Sequence, residues 1–466
     1  MPRASTVAAL ALGAVVASFA QSSSANGAFP NAGQVLVDPT DPLRVWVNTS
    51  YGFVLSSDGG ATFHLLCNEG IGYSSLFHAH AAVTPTGAMF LGVPDGLVVG
   101  RGDMCGFTHA PDLDGYFVVD VSVDPEGRAV AVGVPVDGGR ARAFRSDDDL
   151  ATWSQIGGQL PADFTPHTID QAPGNPDVVY VSGLIDSEPD YGVVARTLNG
   201  GGQWASFDVP GSDTSDYTPF IAAVDPFDAS RLYVRLGGAP GRLLVSQDAG
   251  ATYDLALELP GFMYAFRLTP DGTSAYVGSD ASGLHRLDTE TFALEDLAPI
   301  QARCVTLDGD RVIACGNEAV DGFSVGVSTD GGSTFSSFLR LACIEGVLPC
   351  PAGSPIEATC TPEWPATEAL LHAGGECELP SEGGAGGAGP ATSSTGGGGA
   401  GQGGQSDSGA ASSVGGAGAS GSDDDGDGDD GCSCRVGADK AAPWPLIAAV
   451  FVFASRRRSR RPTPCR

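Results

Sequence analysis

Ser56-Ser57-Asp58-Gly59-Gly60-Ala61-Thr62-Phe63 is the stretch on which the fold turns, because close copies of it return down the chain. They occupy 146–153, 197–204, 246–253 and 328–335, centred on Asp148, Asn199, Asp248 and Asp330. Together they read Ser-x-Asp-x-Gly-x-Thr-aromatic. An aspartate carboxylate accepts backbone N–H groups just ahead of it, and glycine takes the positive φ that other residues resist. The motif therefore predicts a hairpin turn, with the aromatic opening the next strand and packing one sheet on its neighbour. Asn199 with Gln203, and Leu150 in place of glycine, depart from the pattern and predict looser turns.

A second ladder interleaves with the first. An apolar strand, a turn often built on Asp-Pro and another strand occur at Val35-Leu36-Val37-Asp38-Pro39, Val121-Ser122-Val123-Asp124-Pro125 and Ala222-Ala223-Val224-Asp225-Pro226. Weaker forms end on Thr84-Pro85, Ala172-Pro173, Thr269-Pro270 and Asp308-Gly309, which makes seven units. Two of the gaps between the octapeptides are double length, and their midpoints fall on eroded copies around Asp103 and Asp288. A repeat of about 40 to 50 residues with four short strands is the size of a propeller blade. No helical period of useful length interrupts it. The sequence thus predicts an all-β, seven-bladed β-propeller over 28–341, against the alternative of a jelly roll or paired sandwiches. Each unit starts on its inner strand, so the ring should close without exchanging strands and lean on packing between its first and last blades.

The octapeptides resemble the Asp-box, or bacterial neuraminidase repeat, of sialidases, family 74 glycoside hydrolases, sortilin-type receptors and a photosystem II assembly factor. The resemblance implies that Asp58, Asp148, Asn199, Asp248 and Asp330 are structural, on turns away from the ligand face. Sialidases carry an arginine cluster and an Arg-Ile-Pro motif near the first blade. That tripeptide is absent, and past the leader no arginine precedes Arg44, so sialidase activity is rejected. Family 74 enzymes use two aspartates at the channel mouth, one protonating the leaving oxygen and one activating water. Here Asp120 and Asp170 are the candidates, each expected at an inner-strand entry. His78, His80, His167, Asp216 and Tyr217 stand at comparable entries and are the candidate ligand-face residues. Loop entries are commonly polar, so the pattern alone does not separate catalysis from binding.

The ends of the chain speak of export. Arg3, an apolar run over 7–19 and small residues at Ser18 and Ala20 read as a signal peptide over 1–20, cleaved after Ala20. Residues 381–430 are Gly-, Ala-, Ser- and then Asp-rich, too polar to offset their ordering entropy, and read as a disordered linker. Asp423, Asp425, Asp427 and Gly428 match half of a calcium loop, but its twelfth position is Cys434 where Glu is needed. No metal or cofactor is expected. In 431–466, Gly431-Cys432 precedes an apolar run over 441–454 and an arginine cluster. That order resembles the myxobacterial sorting tag MYXO-CTERM, which implies processing near Cys432 and attachment to the membrane or cell surface. The run is short for a helix crossing an apolar layer of about 30 Å.

Eight cysteines lie between leader and linker, an even number that suits an oxidising compartment. No Cys-x-x-Cys pair among them suggests zinc. Cys304 and Cys315 flank the Gly309-Asp310 turn symmetrically and are expected to bond across that hairpin. Cys67 and Cys105 are expected to cross-link adjacent blades. Cys343, Cys350, Cys360 and Cys377 would hold together a Pro-rich appendage over 342–380. The formal charge of −31 disfavours nucleic acid as a partner. Arg101-Gly102-Asp103 spells an integrin-binding tripeptide, yet it falls inside an eroded box. Two functions stay open for what is expected to be a monomer: a surface module binding extracellular protein or polysaccharide, and a secreted glycosidase.

Overall fold

Met89–Val93 and Gly96–Gly100 are buried at every position, as are the five residues of Gly52–Ser56. Strands packed on both faces need continuous apolar runs, not alternation. In this computed structural model, which describes residues 31–73, 79–212 and 217–377, such strands form the middle of seven antiparallel sheets. The blades cover 32–67, 81–109, 116–155, 164–208, 219–259, 263–296 and 304–339, each built from four consecutive strands paired in chain order. The architecture is an all-β seven-bladed propeller, and no blade borrows a strand from another.

The apolar core is divided among the seams between blades. Val130, Val132, Val179 and Val181 join blades 3 and 4, and Tyr233, Leu243, Val277 and Leu287 join blades 5 and 6. At the closing seam, Thr306 donates to the Val35 carbonyl at 2.9 Å, and Phe63 meets Phe338 edge to face at 5.5 Å between centroids.

The recurring octapeptide is a fixed hydrogen-bonded turn between third and fourth strands. In blade 5 the Asp248 carboxylate accepts the Thr252 N–H at 2.8 Å, the Thr252 hydroxyl at 2.7 Å and the Ser246 hydroxyl at 2.9 Å, while Gly250 N–H donates to Ser246 Oγ at 2.7 Å. The Asp330 turn repeats this set. The expectation of looser turns at Leu150 and Asn199 is corrected. The Asp148 turn keeps every bond, including Leu150 N–H to Ser146 Oγ at 3.0 Å. Asp149 and Leu150 adopt φ of 55° and 68°, a left-handed pair costing about 1–2 kcal/mol per residue. Burying Leu150 between blades 2 and 3 offsets that cost, by about 1.5–3 kcal/mol. Asp149 is held by Arg101 and by the Thr86 hydroxyl from blade 2, which commits the arginine of the integrin-like tripeptide to a fold contact. The Asn199 turn lacks only the bond that a threonine hydroxyl would add. At the eroded sites, Asp288 accepts the Thr291 N–H at 2.7 Å and Asp103 the Cys105 N–H at 3.0 Å.

The Thr252 hydroxyl and N–H hold Asp248 down to about 2, and those of Thr334 do the same for Asp330. These folded values lie below the unfolded value near 4, so their stabilisation is present above about pH 4 and is lost as pH falls towards about 2. The double change Asp248→Asn and Asp330→Asn is expected to lower the thermal midpoint at pH 7. It should also flatten the decline between about pH 4 and about pH 2, read by scanning fluorimetry. An acid limb as steep as the parent's would refute the assignment.

The cysteine-rich segment is not a free-standing appendage. Cys304 and Cys315 are bonded across their hairpin, but Cys67 pairs with Cys360 and Cys105 with Cys350, not with each other. Only Cys343–Cys377 lies within the segment. Leaving blade 7, the chain lays Gly346–Val347 parallel to His64–Cys67, the outer strand of blade 1. Glu345 N–H donates to the Phe63 carbonyl and Leu348 N–H to the Leu65 carbonyl, each at 2.9 Å. It then bonds to blade 2 and turns into helix Pro355–Leu371, capped by the Ser354 hydroxyl. That helix buries Ile356, Cys360 and Leu371, apolar content that the prolines of the sequence obscure. The result is a strap running from blade 7 across blade 1 to blade 2.

Candidate functional site

Every inner strand pairs on one side only, so its other edge presents unpaired N–H and C=O groups to the central channel. Side chains of the preceding blade cap several of them. Gln34 donates to the Ala81 carbonyl at 2.8 Å, Asp120 Oδ2 accepts the Ile169 N–H at 2.8 Å, and Thr168 Oγ1 accepts the Ile221 N–H at 2.8 Å. Asp170 accepts the Ser122 hydroxyl at 2.7 Å and the Gln171 N–H at 2.9 Å.

Asp120 and Asp170 therefore do not sit at strand entries. Asp120 lies within Tyr116–Val123, and Asp170 lies three-quarters of the way along Phe164–Ala172. Both carboxylates act as staples between blades 3 and 4. Burial pushes Asp120 up to about 8, against the pull of the Ile169 and Val121 N–H groups, and the negative Asp170 adds to the rise. Burial raises Asp170 as well, against the pull of the Ser122 hydroxyl, the Gln171 N–H and Arg267. His80 is mostly exposed, with Nδ1 3.7 Å from Asp120 Oδ1. His78 and Asp216 lie outside the described residues, as do Ala20 and Cys432. Tyr217 donates its hydroxyl to the Ala239 carbonyl at 3.0 Å beneath the Arg242 guanidinium.

His167 belongs to a different device. In blades 1, 3, 4 and 6 the inner strand carries a bulge at Gly33, Val119, His167 and Tyr264, and in blade 5 one nearer the turn at Ala222. The first four stand equally far ahead of the first turn. A bulge residue has no ladder partner and is aimed afresh by the local bend. His167 stacks on Phe220 at 5.6 Å, and the Arg235 guanidinium lies over the Phe220 ring, 4.4 Å from its centroid. Arg235 also donates to the Met263 carbonyl at 3.3 Å, next to Tyr264, which stacks on Phe262 at 5.8 Å. Burial, then Asp280, raise the Tyr264 phenol, and the charges of Arg303 and Arg235 draw it back. Burial alone lowers His167 to about 4, so the imidazole is neutral in ordinary buffers.

Blades 4 to 7 thus line one side of the channel mouth with His167, Phe220, Arg235, Tyr264 and Arg303. This is the end opposite the octapeptide turns, because first-to-second and third-to-fourth connections share one end of an antiparallel blade. Sequence reasoning selected His167 there and missed the other four, having searched strand entries for acids, histidines and one tyrosine. The visible signal was alignment of the seven units on their first turns, which sets Tyr264 on His167 and Arg303 beside them.

No family model matches the sequence, and no curated protein does. Among solved structures, an ancestral GH74 enzyme is similar at 14% identity and TM-score 0.46, covering 67% of this chain and 55% of that one. The extracellular domain of a one-component system from B. thetaiotaomicron gives 12% identity and TM-score 0.44, over 65% of this chain and 39% of that one. YCF48 bound to D1 peptide gives 16% identity and TM-score 0.34, over 48% and 68%. The chain spans little more than half of the first of these and about two-fifths of the second. Likeness of this order carries no argument about ligand or activity. The four disulfides independently fit a protein that matures in an oxidising, exported compartment.

Proposed function

We propose that this chain is an exported, surface-held propeller that binds an extracellular protein or polysaccharide at the strand-entry end of its ring and does not cleave it. The observation that supports this reading is the employment of Asp120 and Asp170. A glycosidase of the family 74 kind needs two carboxylates free to reach a glycosidic oxygen and a water. Here each accepts hydrogen bonds that tie neighbouring inner strands together. The competing hydrolase reading draws on one fact, the elevation of Asp120 to about 8, which suits a general acid. Its partner Asp170 is raised by burial as well, and its carboxylate is taken up by the Ser122 hydroxyl and the Gln171 N–H. Attachment through the sorting-tag resemblance around Cys432 belongs to the same proposal, and that segment lies outside the described residues.

Incubating the full-length protein with a panel of plant, algal and bacterial polysaccharides is expected to release no reducing sugar while one or more polymers retard its migration in affinity gels. Sugar release that disappears in Asp120→Asn or Asp170→Asn would overturn the binding-only reading.

A further inference from the structure

The only lysine of the chain is Lys440, outside the described residues, so the propeller's permanent cations are arginines. In so acidic a chain, unpaired guanidinium groups are conspicuous. Arg235 and Arg303 have no carboxylate within ion-pair distance among the described residues. Arg303 Nε is buried without a hydrogen-bond partner. Enclosure lowers Arg235 to about 10, the direction that desolvation of a cation demands. A cation withdrawn from water and left unpaired is costly, and a fold keeps one where something else supplies the counter-charge.

Flat apolar surface adjoins these cations. Tyr264 is 43% exposed, stacks on Phe262, and stands on a bulge without a ladder partner. Phe220 and His167 form a second stacked pair under Arg235. Aromatic faces beside two guanidinium groups that both act on Tyr264 fit a pyranose ring carrying a carboxylate: the ring lies on the aromatic, and the carboxylate takes charge-assisted hydrogen bonds. A peptide is less well served. Strand addition requires open edges, and the nearby inner-strand N–H groups of Ile169 and Ile221 are already capped by Asp120 and Thr168.

We propose that Arg235, Arg303 and Tyr264 form a subsite for the carboxylate-bearing residue of an acidic, uronate-type polysaccharide. This inference rests on the binding reading above and names the class of its ligand. The carboxylate sits between the two guanidinium groups, within reach of the Tyr264 hydroxyl, while His167 stays neutral and adds no charge.

The test is affinity electrophoresis of the full-length protein through gels containing polygalacturonate, neutral dextran or poly-glutamate. Polygalacturonate is expected to retard the protein, with affinity falling as salt rises. Arg303→Gln and Arg235→Gln are each expected to weaken it at least tenfold, and Tyr264→Ala at least fivefold. Arg303→Gln is also expected to leave the thermal midpoint unchanged or raised, because it removes a half-buried guanidinium that has no carboxylate partner and whose Nε makes no hydrogen bond; this separates a binding role from a folding one. Retardation by polygalacturonate that survives Arg303→Gln and Arg235→Gln would overturn the inference, as would no retardation at all. Equal retardation by poly-glutamate would overturn the saccharide assignment. Retardation by dextran alone would overturn the anion subsite while leaving the binding reading intact, which only sugar release defeats.

Discussion

Replacing Cys67 and Cys360 together by alanine is expected to destabilise the protein by about 2–5 kcal/mol, more than any surface change. This bridge joins positions 293 apart, so in the unfolded chain it closes a loop that takes in nearly the whole propeller. The chain-entropy cost of closing loops rises with their length, which places the bridge towards the upper part of that range. Its position adds a native-state contribution. Cys360 is fully buried against blade 1, where its sulfur presses on Gly70 so closely that a Cβ there would lie 2.6 Å away. Chemical denaturation of the double variant should show a lower midpoint with a similar slope. Loss of the Cys343–Cys377 bridge, which closes only the strap on itself, should cost markedly less. Equal losses for the two bridges would show that the strap does not close the ring.

The second expectation separates stapling from catalysis at Asp120. Asp120→Ala is expected to cost about 1–3 kcal/mol, because the Ile169 N–H loses its acceptor. Asp120→Asn retains a carbonyl oxygen in the same place and removes the cost of taking up a proton when the carboxyl is buried. It should raise stability at neutral pH, by an amount on the order of 1–3 kcal/mol. The sign follows from proton binding. The folded carboxyl titrates near 8 and the unfolded one near 4, so the folded state holds the extra proton in that window and stability falls as pH rises across it. Asp120→Asn should therefore flatten the stability profile between about pH 4 and about pH 8 and leave ligand retention unaltered. A general acid would behave differently, with turnover abolished in the asparagine variant. A destabilised Asp120→Asn with an unflattened profile would refute the account of Asp120 as a protonated staple.

The blade count was legible because each turn imposes a chemical demand at fixed positions. Asp58, Asp248 and Asp330 must accept an N–H four residues on, and no other residue type does so while also taking the threonine hydroxyl. The same demand made Leu150 misleading. Tertiary burial, invisible in an octapeptide, overrides a local preference for glycine worth only about 1–2 kcal/mol. Disulfide pairing divided in the same way. Cys304 and Cys315 are readable because a hairpin register is local, whereas the partners of Cys67 and Cys105 lie 293 and 245 residues away, on a strap beyond the last blade. The mouth was the least legible region. Arg235 sits on a second strand and reaches the channel by lying across Phe220, and neither its aim nor its missing carboxylate can be read from spacing.

The bulges at Gly33, Val119, His167 and Tyr264 bear on how such a protein diversifies. Each residue stands outside the ladder of its own blade, so its identity is free of the pairing that fixes its neighbours. Four blades offer this freedom at one level of the ring, and of the four residues Val119 alone packs against a core between sheets. Selection can therefore rewrite the rim one side chain at a time, from glycine to valine to histidine to tyrosine, without renegotiating the fold. Closely related rings are expected to share their seams and differ at these four places.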